Sequence, residues 1–464
     1  MANRKLNPLD ASWLYVESRE TPMHVAGLQI FSPPTGAGPD YLHKLIGHLK
    51  SSKDLAPPWN QKLNRSLISK VMPNWVTDRD IDLDYHVRHS ALPAPGGERE
   101  LGVLVSRLHS HQLDFKRPLW EAHLIEGLDG GRFALYTKMH HSMVDGVSGM
   151  RMMQRAMSDS PKVRNLPPPW ASHAPRRDKS AAEVPTATNA VNAMLESARQ
   201  QMRSVPDVMR GVRRLMKSAG GNDLTVPFAS PNSVLNGRIT GQRRFATQQY
   251  ELDRLKNTAA KADCTLNDVV LYLCATALRR FLKEANALPA KALTAGIPVN
   301  VRPADDQGVG NAISFIMATL ATDVADPLKR LQAIKDSTGR AKEHLQSLPR
   351  QALTQYTMLV MAPYILQLLS GMGGRTRPVF NVTISNVPGP SRPLYFQGAR
   401  LEAMYPVSLL SHGQALNITC VSYDGSLNFG FTAARDTLPH MQRLSVYTGE
   451  ALDELEKLLA RKRR

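Results

Sequence analysis

Apolar residues along this chain repeat either every second position or every three to four, and blocks of the two kinds alternate from end to end. "MHVAGLQIF", residues 23–31, and "RFALYTKM", residues 132–139, are apolar runs of strand length. "YLHKLIGHLKSS" from Tyr41 and "LGVLVSRLHSHQL" from Leu101 carry their apolar residues at helical spacing instead. After the second strand, "DGVSGMRMMQRAM" sets Val147, Met150, Met153 and Met157 on one helical face, which reads as core, with Gly146 near the helix start. From about residue 160 to 235 the pattern dissolves into "LPPPWASHAPRRDKS", an Ala-rich polar stretch and a basic segment whose prolines forbid one continuous element.

Regular periods return with "RRFATQQYELDRLKNTAAKADCTLNDVVLYLCATALRRFLKEAN", a strand, a helix, a break and a long helix. "ALTAGIPVNVR", "ISFIMATLAT", "RPVFNVTISNV" and "ALNITCVSYDGSLNFGF" follow as strands, the last a hairpin turned at Asp424 and Gly425. An amphipathic helix over 437–461 closes the chain. The pattern predicts two α/β lobes around a shared cleft, an N-terminal one over 1–160 and a C-terminal one over 236–464, joined by a helical, Pro-rich crossover over 161–235. A length of 464 residues suits two or three cores.

Composition narrows the function classes. Hydrophobic residues at 42% and charged residues at 21% describe an ordinary globular protein. A net charge of +18 favours polyanionic partners: nucleic acid, an anionic membrane surface or a phosphate-bearing cofactor. Part of it gathers at Arg199, Arg203, Arg210, Arg213, Arg214 and Lys217 and in the tail Arg461, Lys462, Arg463 and Arg464, runs that are usually solvated faces. Cys264, Cys274 and Cys420 form no CxxC pair, so neither a disulfide framework nor a structural zinc site is expected, and a reducing cytosol fits. The N-terminus "MANRKLNPLDASW" lacks the apolar core of a signal peptide. "YTMLVMAPYILQLLSGMGG", residues 356–374, is the most apolar stretch, yet Pro363 and Gln367 interrupt it short of the ~20 apolar residues of a membrane span, so it reads as a buried or interfacial helix.

The chemistry gathers at "YTKMHHSMVDGVSGM", residues 136–150, where two histidines end a strand. Neighbouring side chains on a strand point to opposite faces, so His140 and His141 cannot serve one site together; one works and one supports. Metal binding would ask for a spacing of two on a strand or four on a helix, and no metal is expected. Asp145 either orients His141 as in a triad or pairs with an arginine and holds the turn. No GxSxG or reactive-cysteine context supplies a nucleophile. A base without its own nucleophile suits a substrate that brings one: a bound hydroxyl or amine that loses its proton to the imidazole and attacks an activated acyl carbon.

"HHSMVDG" resembles the HHxxxDG signature of the CoA-dependent acyltransferase superfamily, which includes chloramphenicol acetyltransferase-like, carnitine acyltransferase-like and condensation enzymes. "PLDASWLYVE" near the start, "PLWE" from Pro118, "LND" from Leu266, "PVNVR" from Pro298, "GN" at Gly310 and "SNVPGP" from Ser385, in this order, resemble the bacterial wax ester synthase/acyl-CoA:diacylglycerol acyltransferase family. The resemblance runs from about residue 8 to the final helix; the segment 160–235 carries little of it and the tail none. It implies an α/β fold of two chloramphenicol-acetyltransferase-like lobes, mixed sheets flanked by helices, with an active-site channel between them.

The resemblance places the general base on His141 and leaves His140 to hold the loop or the tautomer of its neighbour. It turns Asp145 away from substrate toward an arginine, for which Arg302 is the candidate, with Gly146 allowing a tight turn. It sets Asn267 and Asp268 near the active site as substrate-binding or oxyanion candidates: for Asn267, a bond to the reacting carbonyl or cofactor and a role in fixing the turn stand side by side, while Asp268 with Thr265 also fits a helix-capping box. Ser385 and Asn386 are candidate donors to an oxyanion or to coenzyme A, and turn formers otherwise. Pro118, Leu119 and Trp120 shape and pack the cleft.

The implied reaction moves a long-chain acyl group from acyl-CoA to a long-chain fatty alcohol, giving a wax ester, and to diacylglycerol, giving triacylglycerol, in a ternary complex without an acyl-enzyme. Acyl-CoA enters as co-substrate and no permanently bound cofactor is expected. Cytoplasmic location with peripheral contact to the inner membrane face or lipid inclusions follows, with Arg210, Arg213 and Arg214 as candidate contacts and no nucleic-acid partner. The apolar helix from Met358 to Leu369 is a candidate channel lining, a plain core helix being the other reading. Condensation-type transfer to another hydroxyl or amine acceptor is the first competing reading, and the additional motifs count against it. A non-catalytic basic protein binding lipid or nucleic acid is the second, and the intact His141 and Asp145 count against it.

Overall fold

The computed structural model describes residues 4–6, 8–52, 54–64, 73–144, 146–171, 224–300, 313–348 and 350–462. Its first half runs β1 (Arg4–Lys5), α1 (Pro8–Tyr15), β2 (His24–Ser32), α2 (Tyr41–Lys50), β3 (Gln61–Leu63), β4 (Asn74–Thr77), α3 (Leu83–His86), β5 (Val87–Ala91), α4 (Glu98–Ser110), β6 (Trp120–Glu126), β7 (Phe133–His140) and α5 (Gly146–Gln154). The second half holds β8 (Arg243–Glu251), α6 (Leu252–Lys261), α7 (Leu266–Glu284), β9 (Thr294–Asn300), β10 (Ile313–Thr319), α8 (Pro327–Ser347), α9 (Arg350–Leu369), β11 (Val382–Val387), β12 (Tyr395–Phe396), β13 (Ala399–Val407), β14 (Leu416–Tyr423), β15 (Ser426–Ala434) and α10 (Arg443–Lys462).

Two six-stranded mixed sheets, flanked by helices, carry the α/β fold. One has the order β12-β13-β2-β7-β6-β5 and the other β10-β9-β11-β14-β15-β8, while β1-β4-β3 form a small third sheet. Parallel pairing occurs at β5–β6, β9–β11 and β11–β14, and the remaining pairs of the two large sheets are antiparallel. The second half therefore lends β12 and β13 to the sheet of the first, with β13 antiparallel to β2. The β14–β15 hairpin turns at Asp424 and Gly425, whose φ of 41° and 76° give the left-handed pair that a two-residue turn requires. The closing helix starts at Arg443 rather than 437, because Pro439 and the left-handed His440 (φ 64°) break the chain direction just before it.

Apolar packing follows the sheet faces. Leu135 and Met139 of β7 join Phe31, Leu45, Trp120, Trp170, Met153 and Met157 on one side of the first sheet, so two members of the Met stripe are core. Tyr136 of β7 joins Leu104, Val105, Phe245 and Val407 on the other. In the second lobe, α7 is buried along most of its length against β9, β11, β14, β15 and α10.

The two lobes meet where α4 covers β8, an edge strand with unpaired N–H groups. Ser106 Oγ accepts the N–H of Phe245 at 2.9 Å and Ser110 Oγ that of Arg243 at 2.8 Å. Four helical residues rise about 6 Å and two strand residues about 6.6 Å, so hydroxyls at this spacing match successive outward N–H groups. Each hydroxyl also donates to the helix carbonyl four residues back, Ser106 to Gly102 at 2.5 Å and Ser110 to Ser106 at 2.7 Å. Gly102 completes the stripe, since a Cβ there would lie 3.1 Å from the Phe245 carbonyl oxygen.

Replacing both hydroxyls, Ser106→Ala with Ser110→Ala, leaves two strand N–H groups without partners at a seam that excludes water. The loss expected is about 1–3 kcal/mol of unfolding free energy, read as a lowered urea midpoint; an unchanged midpoint contradicts this account of the seam.

Candidate active site

Strand β7 is buried along its whole length, and its alternation sorts the motif. Tyr136, Lys138 and His140 share the face toward α4, and Leu135 and Met139 the face toward the first core. His140, the last strand residue, is 1% exposed. Its N–H donates to the Leu119 carbonyl at 2.9 Å. Its Nδ1 accepts the N–H of Ser142 at 3.1 Å, with Ser142 Oγ 2.6 Å away. A backbone N–H only donates, so the ring proton belongs on Nε2, which lies 3.5 Å from Glu17 Oε2, an ion-pair distance rather than a tight hydrogen bond. Phe115 stands edge-on to the ring at 5.6 Å.

His141 takes a different course. The strand ends at His140, where the Met143 N–H turns back to the His140 carbonyl at 3.0 Å. The backbone N–H of His141 donates to the Met23 carbonyl at 2.8 Å, and its half-buried ring lies 4.4 Å from the ring of Trp13 on α1, tilted by 32°. Of the two adjacent imidazoles, one is thus locked inward and the other stands against an aromatic plate outside the strand.

The segment between α1 and β2 holds this arrangement. Glu17 accepts the Met23 N–H on one carboxylate oxygen and Gln112 Nε2 at 2.9 Å on the other. Met23 in turn presents the carbonyl that receives His141, and the following His24 pairs with His140 across β2 and β7. His24 Nε2 donates to the His109 carbonyl at 2.9 Å. Burial, aided by His109 and Lys138, lowers the His24 pKa well below its ordinary value. His109 Nε2 donates to the Ser408 carbonyl at 3.0 Å while Nδ1 accepts from Tyr136 Oη at 2.9 Å, a bonding pattern of the neutral ring; burial pushes its pKa down to about 3.

Beneath the histidines lies a buried ionic group. Lys138, 0% exposed, donates to the carbonyls of Leu108 at 3.0 Å and His111 at 2.8 Å and stands 3.4 Å from Glu121 Oε2. Burial alone would raise the Glu121 pKa, but His123 at 3.5 Å and the charges of Lys138 and Arg88 outweigh it and hold the carboxyl at about 2. A charge so placed is stable only with its partners in place, which fixes β7 against the end of α4.

The other expected residues divide. Leu119 contributes the carbonyl that holds His140, and Trp120 stacks on Trp170 at 5.1 Å and donates Nε1–H to the Trp59 carbonyl at 2.8 Å, so the Pro118–Trp120 motif packs and positions. Asp268 is a cap: Oδ2 accepts from Thr265 N at 2.9 Å and Oγ1 at 2.7 Å, and Oδ1 accepts from Thr338 Oγ1 at 2.6 Å, tying α7 to α8. Asn267 is half-buried in the first turn of α7. Ser385 and Asn386 sit half-buried on β11, opposite Thr419 and Cys420 of β14. Thr419 Oγ1 lies 3.0 Å from Ser408 Oγ, and the Ser408 carbonyl is the one that holds His109, so β14 and α4 connect through a single residue. Asp145 and Arg302 lie outside the described residues, as do Gly310, Arg199, Arg203, Arg210, Arg213, Arg214 and Lys217. The steric reason expected for Gly146 is not found: a Cβ there would meet no atom of the described residues within 4 Å, and its φ is outside the left-handed region.

Trp13 and Glu17, both inside the quoted "PLDASWLYVE", were missed as neighbours of the histidine pair; their only sequence signal was membership of that motif. Among the described residues no cluster of three or more His, Cys, Asp or Glu is arranged to hold a metal ion.

The neutral His109 gives a pH signature. Its folded pKa lies below the unfolded 6.5, so the folded state binds fewer protons; this stability is complete above pH 6.5 and is lost as pH falls toward about 3. His109→Gln, which retains an N–H for the Ser408 carbonyl, is expected to flatten the loss of unfolding free energy across that window in a pH series of denaturant titrations, and an unchanged slope contradicts the assignment.

Residues 6–270 match the family described as wax ester synthase/diacylglycerol acyltransferase catalytic domain, and residues 309–456 match its C-terminal domain. A putative diacylglycerol O-acyltransferase of Mycobacterium tuberculosis is 47% identical over 97% of this chain and 97% of its own. An O-acyltransferase of Acinetobacter baylyi is 40% identical over 99% and 98%. Among solved structures, the wax ester synthase/diacylglycerol acyltransferase of Marinobacter aquaeolei superposes with a TM-score of 0.79 at 40% identity, covering 98% of this chain and all of that one. The first condensation domain of the calcium-dependent antibiotic synthetase, at 16% identity and a TM-score of 0.57, shares the fold alone. The chain is an O-acyltransferase and belongs to the wax ester synthase/diacylglycerol acyltransferase family.

Proposed function

We propose that the enzyme transfers a long-chain acyl group from acyl-CoA to a long-chain fatty alcohol and to diacylglycerol, with His141 as general base in one ternary complex. The observation that carries this is the division of labour at the end of β7. His140 is locked into the interior by Ser142 and Leu119, whereas the half-buried ring of His141 leaves the strand and rests on Trp13.

The reaction balances without a protein nucleophile. The acceptor hydroxyl gives its proton to the His141 imidazole as its oxygen bonds to the thioester carbon. The tetrahedral oxyanion collapses, the carbon–sulfur bond breaks, and the imidazolium returns the proton to the departing CoA sulfur. Asn267, Ser385 and Asn386 are the donors offered for the oxyanion or for coenzyme A; Asp145 supports the turn. Glu17 and Trp13 are positioning residues, the first acting through His140 and Met23. The net charge of +18 suits CoA phosphates and an anionic membrane or lipid-inclusion surface that supplies the acceptor.

Replacement His141→Ala is expected to cut ester formation by roughly 10²–10⁴-fold while the thermal transition stays in place, as removal of a general base does. CoA release from acyl-CoA should depend on added hexadecanol or diacylglycerol and vanish with neither. Turnover retained in the variant, or CoA release indifferent to acceptor, contradicts the reading.

A further inference from the structure

The C-terminal half of α9 and the turn after it present apolar side chains to solvent. Val360 packs inward with Phe315, Met317, Val379 and Phe380, with Tyr364 against the same cluster. Ile365, Leu369 and Met372 stand 39%, 44% and 42% exposed. Ile365 and Leu369, four residues apart, share one face of the helix, and Met372 lies in the turn beyond it, after the left-handed Gly371 (φ 66°). A surface helix ordinarily turns polar residues to water. Here the one amide in reach, Gln367, donates to Thr376 Oγ1 and the Arg377 carbonyl, both at 2.8 Å, and so folds the turn rather than solvating the face.

The charge along the segment that carries this face is one-sided. The chain has 40 acidic residues in 464, yet none falls in the 58 positions between Glu343 and Glu402, which hold five arginines. Arg392 and Arg400 pair with Asp159 and Asp424 and are accounted for. Arg375 and Arg377 are exposed in the turn that follows the apolar face, where Arg377 donates Nε–H to the Ser230 carbonyl at 3.2 Å. No helix among the described residues is long and apolar enough to cross a bilayer; an exposed apolar face followed by two exposed arginines fits the boundary of one.

We propose that Ile365, Leu369 and Met372 insert below the headgroups of an anionic lipid surface, with Arg375 and Arg377 at the level of its phosphates. This rests on the acyl-transfer reading only for its purpose, delivery of a lipid acceptor, and binding is measured without acyl-CoA. Failure to bind therefore leaves the transfer reading standing, and failure to transfer leaves the docking face standing.

The test is flotation of the full chain with phosphatidylcholine vesicles, with and without phosphatidylglycerol. The parent is expected to float with the anionic vesicles. I365S/L369S/M372S is expected to lower its partitioning by about tenfold or more on both compositions. R375Q/R377Q should remove about tenfold on anionic vesicles alone and weaken the salt dependence of binding. Should the triple variant melt early, Leu369→Asp gives the same readout at a single exposed position. Three results overturn the proposal: a parent that floats with neither vesicle, variants that float like the parent, or a parent that is dimeric where the triple variant is monomeric, which would make the face a contact between two copies of this chain.

Discussion

Pairing of β7 with β2 on one side and β6 on the other is the constraint from which the site follows. A strand held on both edges cannot slip, because a shift by one residue would exchange its two faces. Here such a slip would put Lys138 into the apolar cluster of Leu135 and Met139 and strip it of its three oxygen partners. The register that buries Lys138 with Glu121 therefore also commits His140 to the interior and obliges the chain to turn before His141. Electrostatics of a buried pair, two residues upstream, decide which imidazole is locked inside and which leaves the strand.

The second lobe reaches the same place by other routes. Ser408, just beyond β13, holds His109, and β13 itself lies against β2, whose first residue pairs with His140. Arg243 of β8 donates to the Glu20 carbonyl at 2.9 Å, within the segment that joins Glu17 to Met23. A histidine pair fastened from both halves of the chain keeps its position only when the two halves are correctly spaced.

Much of this was legible in residue order, and the parts that were not have identifiable causes. Alternation along "RFALYTKM" and the opposed faces of adjacent residues separate His140 from His141, and "TLND" announces the cap at α7. β13 escaped because its alternation is broken by a register shift between Leu401 and Ala403 and by Pro406 near its end, and because its partner β2 lies far away in sequence. β6, buried on nearly every position, shows no period at all. Ser106 and Ser110 carry no signal in the sequence, and their acceptance of strand N–H groups depends on the edge of β8. Trp13 and Glu17 were within a quoted motif, but nothing local says that α1 folds back onto residue 141.

A base that borrows its nucleophile leaves no covalent trace on the protein. The most direct measurement is the intact mass of the enzyme after incubation with acyl-CoA in the absence of any acceptor. The account predicts the unmodified mass at every time point; a species heavier by the acyl group would show that the chain itself carries the acyl group and that His141 serves a different reaction.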